Sequence, residues 1–90
     1  MAIALLVTPA SMTKKQYDES VRRLKEIGWF PAPGNLSHAC FGDEPNLRVF
    51  DLWESEEAIN AFFQQLGPIL AEIGIQPGTQ EMYEVHNYFK

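Results

Sequence analysis

The chain opens on Ala2-Ile3-Ala4-Leu5-Leu6-Val7-Thr8, an unbroken apolar run closed by Pro9. Its length suits a buried strand and falls short of a helix. The period then changes. Tyr17, Val21, Leu24 and Ile27 recur at spacings of four and three, which collects them on one helical face. Thr13 supplies the N-cap, Gln16 reaches back to complete a capping box, and Gly28 stands at the left-handed position that ends the helix. Trp29-Phe30-Pro31-Ala32-Pro33-Gly34-Asn35 cannot continue it and predicts a structured loop.

Leu36 to Phe41 predicts a second strand, Gly42 to Asn46 a hairpin loop, and Leu47 to Trp53 a third strand. Ser55 is a good N-cap for a second helix, with Glu56 and Glu57 in the first turn, where the helix dipole favours anions. Ala58, Ile59, Phe62, Phe63, Leu66, Ile69, Leu70 and Ile73 give that helix a broad apolar face. Gly67-Pro68 predicts a kink or a split, because Pro68 has no amide hydrogen and crowds the preceding turn. Gly74 closes the helix, Ile75 to Gly78 form a turn, and Met82 to Phe89 predict a last strand. The order is βαββαβ, within one domain spanning residues 1–90. Right-handed crossovers then place strands one and three centrally and both helices on one face. That is the ferredoxin-like α+β fold, a four-stranded antiparallel sheet in the order 4-1-3-2.

The third strand is apolar on both faces. One parity offers Leu47, Val49, Asp51 and Trp53, and the other Arg48, Phe50, Leu52 and Glu54. A strand with one wet face alternates apolar and polar residues, and the first strand fails that test as well. Two helices cover only one sheet face. The other face, with Phe50 and Leu52, therefore calls for a partner, and the simplest closed solution is a twofold homodimer packed sheet to sheet. The other reading is that the last strand and the loops shield this face within one chain.

Composition narrows the partners. The 90 residues are 46% hydrophobic and 21% charged, too apolar for a disordered chain. The net charge of -5, with no basic cluster beyond Arg22, Arg23 and Lys25, excludes a phosphate-backbone footprint, so no nucleic acid is expected. The single Cys40 allows no intrachain disulfide and fits a reducing, cytoplasmic setting. No apolar run approaches the ~20 residues of a membrane span, and the first run lacks the basic start of a signal peptide.

Val49-Phe50-Asp51-Leu52-Trp53-Glu54-Ser55-Glu56-Glu57-Ala58, followed by Phe62, resembles the corresponding strand-to-helix junction of the dimeric α+β-barrel superfamily. The closest group in look is the antibiotic-biosynthesis-monooxygenase-like domains. The resemblance implies a barrel formed by two sheets across a dimer, with a pocket between sheet and helices in each protomer. It implies that Asp51 and Trp53 look towards the helices. Members of the superfamily include cofactor-free oxygenases acting on polycyclic phenols, haem-degrading enzymes, isomerases, lyases and proteins without known activity.

The candidate chemistry centres on Asp51, a carboxylate on an otherwise apolar face, which requires a partner. His38 lies on the neighbouring antiparallel strand. A hairpin loop of Asp43–Asn46 pairs it with Asp51, whereas a loop longer by one residue puts it opposite Phe50. If they meet, an Asp-oriented histidine is a general base suited to a phenolic or enolic proton, the first step of cofactor-free oxygenation and of isomerisation alike. The plainer reading is that the two satisfy each other structurally. Trp29, Phe30, Trp53, Phe62 and His86 are the candidate ligand-binding residues for a small apolar or aromatic ligand; the first two lie on the proline-rich loop, where a pocket mouth falls. Two histidines far apart in sequence and one cysteine make no spaced metal site. One histidine would suffice as a haem ligand, but no specific match to the haem-degrading members is present, and no cofactor is expected. Glycine-rich phosphate loops and nucleophile elbows are lacking. A small-molecule enzyme of the cofactor-independent monooxygenase kind is the first expectation, and a non-catalytic ligand-binding or accessory dimer the second.

Overall fold

A computed structural model describes residues 1–89. The elements are β1 (Ile3–Thr8), α1 (Lys14–Glu26), β2 (Asn35–Phe41), β3 (Arg48–Trp53), α2 (Glu56–Ile73) and β4 (Thr79–Glu84). The strands pair in the order β2-β3-β1-β4, each neighbouring pair antiparallel. This is the ferredoxin-like α+β arrangement expected from the pattern.

Helix α1 begins as its sequence dictates. The Thr13 hydroxyl accepts from the Gln16 amide at 3.1 Å, and the Gln16 side chain accepts from the Thr13 amide at 3.0 Å. Two donors that a helix start leaves unpaired are thereby satisfied. Ile27 departs from the expected apolar face: as C-cap it has left helical geometry and is 51% exposed. Ser20 is buried on this helix instead, its hydroxyl donating to the Tyr17 carbonyl at 2.7 Å.

Helix α2 corrects another expectation. It runs unbroken from Glu56 to Ile73 with Pro68 inside it. Gly67 and Pro68 are exposed, as is Gln64, the residue whose carbonyl Pro68 cannot pair with, so the break in the helix ladder lies on an exposed stretch. Half-buried Phe62, Phe63, Leu66, Leu70 and Ile73 lie on both sides of the proline. Their packing outweighs the local propensity to break. The last strand is also earlier than expected: β4 occupies Thr79–Glu84, and only the Val85 amide, donating to Ala2, extends the ladder beyond it. Pairing with β1 across Ile3 to Thr8 decides its extent, and the apolar residues after Glu84 lie past the end of that partner.

Pairing sorts the side chains. Ile3, Leu5 and Val7 of β1, Val49, Asp51 and Trp53 of β3, and His38 and Cys40 of β2 share the helix-facing side. Leu5, Ala32, Trp53 and Ile59 form one buried cluster, with Phe62 and Phe63 packed against it. Met12, Leu47 and Ile75 form a second at the other end, joined by Tyr17, Val49 and Leu70. Each full burial of a side chain such as Leu5 or Ile59 contributes about 1.5–3 kcal/mol. Arg23 links the helices through Glu72 at 2.8 Å. The opposite side of the sheet carries Leu6, Ala39, Phe41, Phe50, Leu52 and Tyr83 together with the charged Arg48 and Glu81, and no described helix packs on it.

The loop leading into β2 is held by a close approach. Gly34 has φ +83°, its carbonyl accepts from the Glu54 amide at 2.9 Å, and a β-carbon there would come within 2.6 Å of the Ala58 β-carbon. Gly28 shares the positive φ but has open space around it. Denaturant unfolding should therefore rank the two alanine variants. Gly28→Ala is expected to lose about 1 kcal/mol from backbone strain alone, and Gly34→Ala about 2–4 kcal/mol with overpacking added. Equal losses would contradict the close packing at Gly34.

Candidate functional site

A cavity of about 80 Å³ lies between the helix-facing side of the sheet and the two helices. Tyr17, Ser20, Val21 and Leu24 of α1 line one side, Phe62, Phe63, Leu66 and Leu70 of α2 another, and Val7, Asn35, His38, Val49, Asp51 and Trp53 the sheet wall. Sites that enclose a drug-sized ligand run to roughly 300–1,000 Å³. A space of this size suits a ligand about one ring wide.

The register of the hairpin answers the question left open by its sequence. His38 and Asp51 are direct cross-strand partners, as are Phe41 and Arg48 nearer the turn. The His38 Nδ1 faces Asp51 Oδ1 at 2.5 Å. Asp51 is only 4% exposed, and its carboxylate has no other side-chain partner among the described residues. The far nitrogen of the ring, Nε2, lies 2.6 Å from the Tyr17 hydroxyl. Tyr17, His38 and Asp51 thus form a hydrogen-bonded chain from α1 across the edge strand β2 to β3. The Tyr17 ring lies end to end with the imidazole and nearly in its plane, 6.0 Å between centroids, while Phe30 meets the imidazole edge-on at 5.5 Å. The histidine is held by two hydrogen bonds and one aromatic contact.

Burial, reinforced by the nearby Cys40 thiol and the negative charges of Asp51 and Asp18, pushes the Tyr17 phenol from its ordinary 10.0 up to about 12. It is a neutral hydroxyl at any ordinary pH. The Cys40 thiol is pushed up as well, by burial first and by Asp18 second, which disfavours the nucleophilic thiolate. Asn35 donates through its amide to the Ser37 and Leu52 carbonyls at 3.0 and 3.1 Å, closing a register shift at the start of β2. Trp53 is 1% exposed, tilts against Phe62 at 5.1 Å, and its indole N–H has no acceptor.

The cavity therefore brings together His38, Asp51, Phe30, Trp53 and Phe62. Trp29 packs against the neighbouring core cluster instead of lining the space. His86 is a correction: it is exposed beyond the end of β4, because that strand stops at Glu84, and it takes no part in the cavity wall. Sequence reasoning placed Tyr17 among the aromatics but missed its hydroxyl, a polar group on the apolar stripe of α1, and it missed Asn35 and Ser20. Among the described residues, no cluster of three or more His, Cys, Asp or Glu is placed to hold a metal ion. No described helix is long and apolar enough to cross a membrane.

No protein-family model and no curated protein sequence matches the chain. Solved structures do. A mutant of SnoaB, a cofactor-independent oxygenase from Streptomyces nogalater, superposes with a TM-score of 0.67 at 10% identity, over 97% of this chain and 95% of that one. A candidate antibiotic biosynthesis monooxygenase from Chloroflexus aurantiacus gives 0.65 at 19% identity, over 99% and 98%. Another from Deinococcus radiodurans gives 0.60 at 15% identity, over 100% and 97%. The chain shares the ferredoxin-like fold of these structures over nearly all of its length, and at these identities the likeness is one of fold.

The electrostatics of Tyr17 yield a signed expectation. Folding raises its pKa, so the stabilisation is complete below pH 10.0 and declines as pH rises towards about 12. Over that interval the wild type should lose about 1–2 kcal/mol more than Tyr17→Phe, allowing for partial exposure of the ring. Parallel stability curves for the two proteins would count against a buried phenol.

Proposed function

We propose that this chain is a cytoplasmic small-molecule enzyme, a homodimer of sheet-to-sheet protomers, in which His38 acts as general base with Asp51 as its orienting partner. The observation that carries the reading is the His38–Asp51 hydrogen bond in the wall of an apolar cavity. An Asp carboxylate on Nδ1 sets the tautomer and stabilises the imidazolium formed when the ring takes a proton. The substrate is an aromatic or polyketide-like compound with an acidic hydroxyl. Removal of that proton makes an electron-rich oxyanion, which reacts with dioxygen directly or isomerises without an organic cofactor. The fold neighbours that include a cofactor-independent oxygenase favour the oxygenase version.

The dimer rests on the bare sheet face. Phe41 is 38% exposed, Phe50 39% and Tyr83 61%, beside Leu6, Leu52, Ala4 and Ala39. These apolar residues, with Arg48 over the Phe41 ring and Glu81 beside Leu6 on the same face, are what a twofold barrel would bury. Phe50→Glu places a charge at its centre and should convert the dimer to a monomer in sedimentation at micromolar concentration, leaving secondary structure intact. A wild type that sediments as a monomer would remove this part of the proposal.

The catalytic part is tested by oxygen uptake with hydroxyaromatics from one ring up to anthrones, with no flavin, metal or haem added. Wild type should accelerate at least one reaction over buffer, and His38→Gln should lower the rate about 100-fold while the protein stays folded. A specific observation keeps a second reading alive: both His38 nitrogens already have partners within the chain. A non-catalytic ligand-binding dimer would bind such compounds tightly and convert none of them.

A further inference from the structure

We propose that Tyr17 is the residue that meets the ligand, and that the ligand presents a hydrogen-bond-donating hydroxyl, a phenol or an enol, to the Tyr17 oxygen. This rests on the reading of His38 as a base and assigns what stands between that base and its substrate.

The argument follows the hydrogens. Asp51 sits in the middle of β3, paired on one side with Leu5 and on the other with His38, so its backbone is fixed by two ladders. A carboxylate accepts and has nothing to donate. The 2.5 Å contact to Nδ1 therefore requires the imidazole hydrogen on Nδ1. A neutral ring then carries a lone pair on Nε2, and the partner there, 2.6 Å away, is the Tyr17 hydroxyl. A phenol has one hydrogen, and this geometry commits it to His38. What remains on the Tyr17 oxygen is acceptor capacity only.

Both ring nitrogens of His38 are thus occupied, the Nε2 end is capped by Tyr17, and Phe30 packs against the ring. A ligand in the cavity reaches the base through the Tyr17 oxygen. A carbonyl or ether placed there would set acceptor against acceptor in a dry pocket, whereas a hydroxyl completes the chain. The proton step balances without any further reagent. The ligand O–H bond breaks as a new O–H bond forms on Tyr17, and the hydrogen Tyr17 held passes to Nε2 of His38. Tyr17 ends neutral as it began, the ligand becomes an oxyanion, and an imidazolium faces the Asp51 carboxylate.

The test uses 4-nitrophenol and its methyl ether, 4-nitroanisole, as one-ring probes matched to the cavity. Binding of each to the whole protein is measured below the titration of free nitrophenol, together with the visible phenolate band of the bound probe. Wild type should prefer the phenol by about tenfold and show the band. Tyr17→Phe removes one oxygen and keeps the aromatic ring; it should bind the two probes alike, without the band. His38→Gln keeps a partner for Tyr17, so it should retain preference for the phenol and lose the band. If Tyr17→Phe keeps both preference and band while His38→Gln loses both, the ligand touches His38 itself; the Tyr17 assignment is then wrong and the base assignment stands. If wild type fails to distinguish the probes, or binds neither, or if both variants behave as wild type, the base reading falls together with it.

Discussion

A carboxylate buried in an apolar wall is the constraint on which the rest of the site turns. Asp51 has Val49 and Trp53 as its neighbours on the same sheet face and Leu5 across from it on β1. Left alone there, the charge would be prohibitively expensive, and removing its only partner would leave an uncompensated buried ion. The chain satisfies it from the neighbouring strand, and that solution propagates outwards. His38 must take one tautomer, its outer nitrogen needs a donor, and Tyr17 of α1 supplies one. The position of the first helix over the sheet and the protonation pattern of the cavity wall are therefore coupled through a single carboxylate.

The two faces of the sheet divide the remaining labour. One face, with the helices over it, holds two core clusters and the cavity between them. The other sets Leu6, Phe50, Leu52 and Tyr83 among the charged Arg48 and Glu81 without a described helix over them, which is why the fold alone does not make a finished surface. The central strand β3 belongs to both. Its alternate residues contribute the charged partner of the site on one side and Phe50 and Leu52 on the other, so association through the bare face and chemistry in the cavity would share one rigid element.

Much of this was legible in the sequence because the signals were local. The Thr13–Gln16 capping box, the Ser55 cap and the glycines after both helices are decided by groups a few residues apart. The hydrophobic alternation of β3 gave the two-faced sheet in the same way. What was not legible depended on distant pairings. The continuity of α2 through Pro68 follows from apolar residues on both sides of the proline and from the exposure of the stretch where the ladder breaks, not from propensity. The end of β4 is set by the length of β1, which put His86 outside the site. Tyr17 was visible as an aromatic, but its hydroxyl acquires meaning only once α1 is laid over β2.

The register shift at the head of β2 has a wider consequence. Asn35 pairs with Trp53 and Ser37 with Leu52, so Leu36 is an extra residue in that strand. Without the shift, Leu36 would stand opposite Trp53, and Asn35 and His38, three positions apart, would point to opposite sides of the sheet. With it, both stand in the cavity wall. The wall's polar content is thus governed by where the strand slips in its pairing as well as by which residues it contains. A relative of the same fold whose β2 had the same length but paired regularly would set the Leu36 position opposite Trp53 and turn the side chain at the Asn35 position outwards, even if the two chains agreed letter for letter along β3. Correspondence between such proteins is a matter of counting from the right strand, and β3, whose pairing with β1 is regular throughout, is the strand to count from.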